Sequence, residues 1–106
     1  MSKLIPVNIR LGESLYNSLY LYLAGRPESL NKMQTIQYLL ICYLKSPQIF
    51  SPLEIKELRE PMQRTITIQL PQELHEQMID LAQSHQLKFS EIFRMAIYQE
   101  LKAKDE

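Results

Sequence analysis

The chain lacks tryptophan, has one cysteine and two glycines, and carries no net charge, and each shortage argues against a class of protein. The single cysteine, Cys42, excludes an internal disulfide framework, and its place in an apolar run predicts a small buried hydrophobic side chain. Two glycines cannot provide the glycine-rich loop that holds a nucleotide phosphate. Equal numbers of basic and acidic residues, 12 of each, argue against a protein that coats nucleic acid indiscriminately.

Long apolar segments are also missing from the sequence. The longest apolar run, from Tyr38 to Leu44, is far shorter than the roughly 20 residues that span a bilayer. The segment MSKLIPVNIR, with which the sequence begins, lacks the apolar stretch of a signal peptide. These two absences predict a soluble, cytoplasmic protein with no membrane partner.

Residue clusters typical of catalysis or metal binding are absent as well. His75 and His85 have no cysteine or carboxylate cluster near them at the spacing of metal ligands. No nucleophile stands in a recognisable arrangement with a base. We therefore predict no catalytic residues, no metal site and no cofactor, in a protein that is not an enzyme.

What the chain does contain is a pattern that occurs twice. Lys3 to Leu11 and Thr65 to Leu70 alternate apolar and polar residues, which predicts two strands with one apolar face each. Each strand is followed by two segments with apolar residues at helical spacing. Equivalent residues lie 59 apart through the strand and first helix, as Ile9 and Ile68 do, and 57 apart in the second helix.

The predicted organisation is therefore two strand–helix–helix units, residues 1–45 and 64–106, joined by a linker over residues 46–63. Proline at the first position predicts a short linker helix over Pro52–Arg59, and the apolar residues of this segment are expected to be buried: Leu53, Ile55 and Leu58.

Three residues mark the expected helix ends. Gly25 is expected just beyond the end of the first helix, where glycine takes the left-handed conformation. After a turn that ends at Ser29, Leu30 or Asn31 begins the second helix. Ser90 is expected to be the N-cap of the last helix.

A short strand cannot satisfy its own backbone groups, so each predicted strand needs a partner. The simplest solution pairs the two strands antiparallel in a two-stranded β-ribbon whose apolar face covers the helices. Whether they pair within one chain or between chains is left open by the sequence. The opposite face of the ribbon is expected to expose a polar row that consists of Pro6, Asn8, Arg10, Thr65, Thr67 and Gln69.

The polar row has the chemistry of a base-reading surface. Arginine bonds guanine O6 and N7, asparagine and glutamine bond adenine N6 and N7, and threonine contacts base edges or the thymine methyl group. A two-stranded ribbon is also one of the few elements that fits the major groove of B-DNA. The alternative is an ordinary hairpin with a hydrated side, because threonine is common in strands for its shape alone.

The second unit, RTITIQLPQELHEQMIDLAQSHQLKFSEIFRMAI, resembles the ribbon–helix–helix family of DNA-binding proteins, of the Arc, MetJ and CopG type. The polar alternating strand, the Leu-Pro-x-Glu-Leu start of the first helix and the short turn before the second helix carry this resemblance. The first unit, IPVNIRLGESLYNSL followed by SLNKMQTIQYLLICYL, is similar but looser. Two copies in one chain resemble the smaller tandem group, which includes TraY-type proteins of DNA-transfer systems.

The resemblance implies a mainly α fold with a two-stranded antiparallel β-ribbon, arranged as a tandem ribbon–helix–helix pseudo-dimer. It also implies phosphate binding at the start of each second helix, where free N–H groups and the helix dipole favour an anion. The sequence departs from the family at Ser29 and Gln86, where a glycine is usual, and at Glu91, which would repel a phosphate. The expected phosphate-binding residues, including those flanking the ribbon, are Lys3, Arg26, Asn31, Lys32, Arg64, Lys88 and Ser90.

Two functions remain as hypotheses. The first is sequence-specific binding of double-stranded DNA, as a transcriptional regulator such as a repressor, or as an accessory (relaxosome-type) protein of plasmid or conjugative DNA transfer. Asn8 and Arg10 would then read one half of a non-palindromic site, and Thr67 and Gln69 the other. A relaxase or another protein as a partner, and self-association of the monomeric pseudo-dimer on DNA, are left open. The alternative is a protein-interaction module, antitoxin-like or scaffold, with weak or vestigial DNA binding.

Overall fold

The computed structural model describes residues 3–28 and 30–104, which form two strands and five helices. Ser29, at the end of the predicted turn, lies outside the described residues. The strand–helix–helix order occurs twice, with one short helix between, as the sequence predicts. The elements are β1 (Leu4–Leu11), α1 (Glu13–Ala24), α2 (Lys32–Lys45), α3 (Lys56–Arg59), β2 (Arg64–Pro71), α4 (Gln72–Ser84) and α5 (Phe89–Lys104).

The two strands pair with each other, antiparallel, along their full length. Leu4 lies opposite Pro71 and Leu11 lies opposite Arg64. The predicted two-stranded antiparallel ribbon is thereby confirmed, and both of its strands come from the same chain. Each strand supplies backbone partners that the other could not find within its own segment.

One apolar core lies between the ribbon and the helices. The inward side chains of the ribbon, such as Ile9 and Ile68, are buried together with residues from all five helices. Helix α5 is the centre of this core, because it packs against each of the other helices and against β1. Full burial of one large apolar side chain, such as that of Ile9, stabilises the fold by about 1.5–3 kcal/mol. The buried residues of α5 are Ile92, Phe93, Met95, Ala96, Ile97, Glu100 and Leu101.

Pro6 shows which pairs of the ribbon lack mutual hydrogen bonds. It lies opposite Gln69, whose backbone N–H donates away from the strand to the sulfur of Met33, at 3.4 Å. The pair Pro6–Gln69 is therefore a non-hydrogen-bonded pair, the one position that suits a residue without an N–H. Because the two kinds of pair alternate, the pairs Asn8–Thr67 and Arg10–Thr65 are of the same kind, with their side chains close together.

The linker helix differs from the prediction. Helix α3 covers only Lys56–Arg59, with Ile55 as its N-cap, so the predicted start at Pro52 is wrong. Leu58 is buried and Ile55 is half-buried, as expected, but Leu53 is 81% exposed. The reason is that Arg59 donates to the Leu53 carbonyl at 2.9 Å and a tight turn joins Ser51 to Glu54. These bonds hold the segment before α3 at the surface.

Several helix ends also differ from the prediction. Gly25 is the C-cap of α1 with φ −90°, so it does not use the left-handed conformation expected of it. Gln86 has φ 59° instead, and it follows His85, the C-cap of α4. Helix α5 begins at Phe89, so Ser90 lies inside its first turn and is not the N-cap. Asn31 is the N-cap of α2, in agreement with one of the two predicted starts.

Cys42 is a free cysteine on α2 and is half-buried, whereas the sequence predicted burial. Within residues 3–28 and 30–104, every helix is too short or too polar to cross a membrane.

Candidate nucleic-acid interface

The six side chains of the polar row all lie on the exposed face of the ribbon. The register arranges them as three cross-strand pairs, which are Pro6–Gln69, Asn8–Thr67 and Arg10–Thr65. Successive pairs are two residues apart, so the row is about 13 Å long at roughly 3.3 Å per residue. The register places Arg10 and Gln69 at opposite ends of the row, whereas Asn8 and Thr67 face each other at its centre. Which half of a DNA site each residue would read stays a prediction.

The central pair is linked by a side-chain hydrogen bond. Thr67 Oγ1 donates to Asn8 Oδ1 at 2.7 Å, and the two residues are 59 apart in sequence. This separation equals the offset of the sequence repeat. Residues that occupy equivalent positions of the two units therefore lie opposite each other at the middle of the ribbon.

Side chains from two helices bind the outer edges of the ribbon. Gln37 of α2 donates from Nε2 to the Gln69 carbonyl at 2.8 Å, and Arg94 of α5 donates from Nη1 to the Arg10 carbonyl at 3.0 Å. Gln37 and Arg94 are both the sixth residue of their helices. Sequence reasoning missed both residues, although the offset of 57 would have placed them at equivalent positions. These bonds fix the backbone at Gln69 and at Arg10.

Arg94 is half-buried at the edge of the ribbon. Burial lowers the pKa of its guanidinium, and the nearby Glu91 carboxylate acts in the opposite direction. The group still carries its charge at neutral pH, because a free guanidinium titrates far above that range. Arg94 therefore adds a positive charge at the Arg10 end of the ribbon.

Arg64, at the same end of the ribbon, is held by an acidic side chain. Its Nε and Nη2 atoms donate to the two carboxylate oxygens of Glu13 at 2.8 and 3.0 Å. Its guanidinium also lies 5.1 Å from the ring centre of Tyr16. The Glu13 bonds raise the pKa of Arg64, and the Arg64 bonds lower the pKa of Glu13. Glu13 therefore occupies two of the five N–H donors of Arg64 and competes with a phosphate for this side chain.

The predicted anion site at the start of α2 has a complete capping box. The Asn31 side chain accepts from the Gln34 N–H at 2.7 Å, and the Gln34 side chain accepts from the Asn31 N–H at 3.1 Å. Lys32 is exposed, with Nζ 5.5 Å from the ring centre of Tyr20. This helix terminus therefore combines one exposed cation with an asparagine side chain that is bonded within the helix.

The start of α5 is different, because an acidic side chain caps it. Glu91 accepts a hydrogen bond from the Lys88 N–H at 2.9 Å. The Lys88 side chain is exposed, and Ser90 is half-buried in the first turn. The Glu91 carboxylate therefore lies where a phosphate would bind, and it would repel that phosphate.

The other predicted phosphate contacts lie at separate places. Arg26 donates to the Leu23 carbonyl, and to the Leu30 carbonyl at 3.0 Å, so it closes the end of α1. Lys3 is exposed beside the Pro6–Gln69 pair, and its carbonyl accepts from the Gln72 N–H at 2.9 Å. Of these two cations, Lys3 flanks the ribbon, whereas Arg26 forms hydrogen bonds within the turn between α1 and α2.

The linker also provides an anion for the start of α1. Glu60 accepts from the Ser14 N–H at 2.9 Å and from the Ser14 hydroxyl at 2.6 Å, and these bonds lower the pKa of its carboxyl group. Gly12, the N-cap, permits this approach, since a Cβ there would lie 2.9 Å from the Glu60 Cβ. The N-terminus of α1 is therefore satisfied from within the chain.

Among the described residues, no group of three or more histidine, cysteine, aspartate or glutamate side chains lies together as a set of metal ligands. Comparisons of the chain with protein-family models, with curated proteins and with solved structures found no match. The resemblance to ribbon–helix–helix proteins therefore stays a prediction from the sequence.

Proposed function

We propose that this chain binds double-stranded DNA sequence-specifically, with the polar row of its β-ribbon in the major groove. The observation that carries the proposal is the exposed row of three cross-strand pairs, whose side chains supply hydrogen-bond donors and acceptors. The major groove is about 12 Å wide and admits a two-stranded ribbon. A row of about 13 Å covers about four base pairs, at roughly 3.4 Å per base pair.

The two ends of the polar row favour different bases. At one end Arg10 lies opposite Thr65, and an arginine side chain suits guanine. At the other end Gln69 lies opposite Pro6, and a glutamine side chain suits adenine. The Arg10 end also contains Arg64 and Arg94, each of which has a glutamate beside it, Glu13 and Glu91 respectively. We therefore expect a target site without two-fold symmetry.

The same proposal includes a tandem ribbon–helix–helix pseudo-dimer. Three observations support it. Asn8 and Thr67, equivalent in the repeat, pair at the centre of the ribbon. The first helices begin 59 residues apart and the second helices 57 apart, at Glu13 and Gln72 and at Lys32 and Phe89. The third is the matching pair of backbone supports, Gln37 and Arg94, described above.

Phosphate contacts would come from the cations around the ribbon. Lys32 at the start of α2 and Lys3 beside the ribbon are exposed, and Arg64 becomes available when it leaves Glu13. The capped start of α5 contributes less, because Glu91 occupies it. The role would be that of a transcriptional regulator or of an accessory protein in DNA transfer.

The test is a titration of duplex DNA with the wild type and two variants. The wild type should bind a duplex selected from a random pool, with an affinity that falls steeply with salt. Arg10→Ala should lose about 1–3 kcal/mol at that site. Lys45→Ala is the matched control, since it removes the same charge at the far end of α2 and should bind like the wild type. Absent or salt-independent duplex binding by the wild type would refute the proposal.

One observation favours the second candidate, a protein-interaction module. Leu21 on α1 is 76% exposed and borders a shallow cavity that is also lined by Ser18, Tyr22 and Leu101. In this alternative a protein binds the helical side of the molecule and duplex binding is vestigial. A protein that co-purifies with the wild type and is lost with Leu21→Ser, together with absent duplex binding, would favour this candidate.

A further inference from the structure

The centre of the polar row consists of two different side chains joined by one hydrogen bond. Asn8 and Thr67 are opposite each other, both are exposed, and Thr67 Oγ1 donates to Asn8 Oδ1 at 2.7 Å. An asparagine amide has one acceptor oxygen and two N–H donors, whereas a hydroxyl has one donor and two acceptor lone pairs. The bond between them therefore determines what each side chain has left for a ligand.

The hydrogen bond leaves the two residues with opposite roles. Because the Asn8 amide oxygen is engaged by Thr67, its two N–H groups are the free part of the amide. Because the only hydroxyl proton of Thr67 is used, its oxygen can act only as an acceptor toward a ligand. The pair thus presents a donor on β1 next to an acceptor on β2.

This arrangement matches a base pair in one direction only. In the major groove, guanine O6 and thymine O4 are acceptors, and each lies beside the amino group of its partner, cytosine N4 or adenine N6. A keto base facing Asn8 and its amino partner facing Thr67 satisfy both side chains. The inverted base pair places an amino group against the Asn8 N–H donors and a carbonyl oxygen against the Thr67 oxygen.

We infer that the centre of the ribbon reads one base pair directionally, with a keto base facing Asn8 and its amino partner facing Thr67, and that Thr67 is the positioning residue for Asn8. This inference rests on the proposed function. Guanine is the preferred keto base, because its N7 accepts from the second Asn8 N–H. A directional centre fixes the orientation of the chain on DNA, which two identical residues at this position could not do.

A purely structural role for the bond makes a different prediction. Cross-strand hydrogen bonds of this type stabilise a ribbon by roughly 0.2–1 kcal/mol whatever the ligand. Loss of the bond would then reduce affinity equally for every duplex. The directional role instead predicts a change in the ratio of affinities for a site and for the same site with one base pair inverted.

The experiment uses the duplex selected from a random pool, with each base pair inverted in turn. For the wild type, inversion of the central pair should lower affinity about tenfold, within the usual range for one mismatched position. Thr67→Val keeps the shape but frees the Asn8 oxygen, so its penalty at that pair should fall below about twofold, whereas Thr67→Ser should keep the penalty. Penalties at the other base pairs should not change in either variant.

A third variant removes the preference. Asn8→Asp can still accept the Thr67 hydroxyl but offers only acceptors to DNA, so neither orientation of the central pair satisfies both side chains, and the variant should lose the wild-type preference and bind more weakly overall. The inference is overturned if the wild type binds DNA but no base pair shows an inversion penalty that Thr67→Val lowers and Thr67→Ser keeps. It is also overturned if Asn8→Asp prefers the same orientation of the central base pair as the wild type. If the wild type fails to bind duplex DNA in a salt-dependent way, the proposed function fails with it.

Discussion

Arg64 has a different partner in the free protein from the one that the proposed function gives it. In the free protein both carboxylate oxygens of Glu13 accept its hydrogen bonds, and the two side chains remain 49% and 46% exposed. Exposed ion pairs contribute little to stability, so exchange of Glu13 for a DNA phosphate is readily reversible. Glu13 thus competes with DNA for Arg64.

Replacement of Glu13 by glutamine tests this competition. Glu13→Gln should strengthen binding to every duplex, selected or not, because Arg64 then meets phosphate without a competing carboxylate. The slope of log affinity against log salt should steepen by about 0.9, the value for one additional phosphate contact. Glu54→Gln, which makes the same charge change in the linker, is the control. Equal effects of the two variants in a salt-series titration would show that Glu13 exerts only a general repulsion.

Arg94 and Gln37 allow a second test at the residue scale. If the two positions are equivalent, Arg94→Gln should still donate to the Arg10 carbonyl and keep the free energy of unfolding within about 0.5 kcal/mol of the wild type. Arg94→Met removes the donor and should destabilise by about 1 kcal/mol. Urea unfolding measures both changes. Equal destabilisation by the two variants would contradict the equivalence.

At the scale of elements, the turn between α4 and α5 stores backbone strain. Gln86 has φ 59°, and it sits in a C-terminal motif in which the Leu87 N–H bonds the Ala82 carbonyl at 2.8 Å and the Gln86 N–H bonds the Gln83 carbonyl at 3.1 Å. A side chain in this region costs roughly 1–2 kcal/mol, which glycine avoids. A residue other than glycine at this position therefore has an energetic cost.

Gln86→Gly is expected to stabilise the protein by about 0.5–1 kcal/mol, since relief of strain exceeds the added freedom of the unfolded chain. Gln83→Gly is the matched control, because Gln83 is exposed within α4 and glycine there should destabilise by about 1 kcal/mol. Urea unfolding of both variants gives the two free energies. A destabilised Gln86→Gly variant would show that the left-handed conformation is not the one populated.

The contact between the linker and α1 predicts a pH dependence. The Ser14 bonds lower the pKa of Glu60 in the folded chain, so the stabilisation is present above the unfolded value of about 4.3 and is lost as pH falls through the folded value. Unfolding free energy should therefore decline between about pH 5 and pH 3, and Glu60→Gln should flatten that decline. Glu54→Gln should leave it unchanged. Indistinguishable pH profiles for the wild type and Glu60→Gln would remove this role for Glu60.

For the whole molecule, the sequence was informative where one physical rule decided the outcome. The alternation around Ile9 and Ile68 predicted two strands, and unsatisfied backbone groups predicted that they pair. The same alternation predicted which side chains of the ribbon are exposed, such as those of Arg10 and Gln69. The repeat offsets of 59 and 57 reappear in the starts of the helices.

Features that depend on individual side-chain contacts were not predicted. The start of α3 depends on the bond from Arg59 to the Leu53 carbonyl, six residues earlier in the chain. The grouping of the polar row by ends follows from the register, which places Arg10 opposite Thr65. Hydrophobic periodicity fixes the faces of a strand but leaves the register to the tertiary structure.

The measurement that tests the central claim most directly is a nuclear Overhauser spectrum of the wild type saturated with the selected duplex. If the polar row lies in the major groove, the methyl groups of Thr65 and Thr67 should show intermolecular effects to major-groove protons, the thymine methyl or cytosine H5. A saturated complex in which these methyl groups contact no base proton, while helical side chains contact the DNA, would contradict the account.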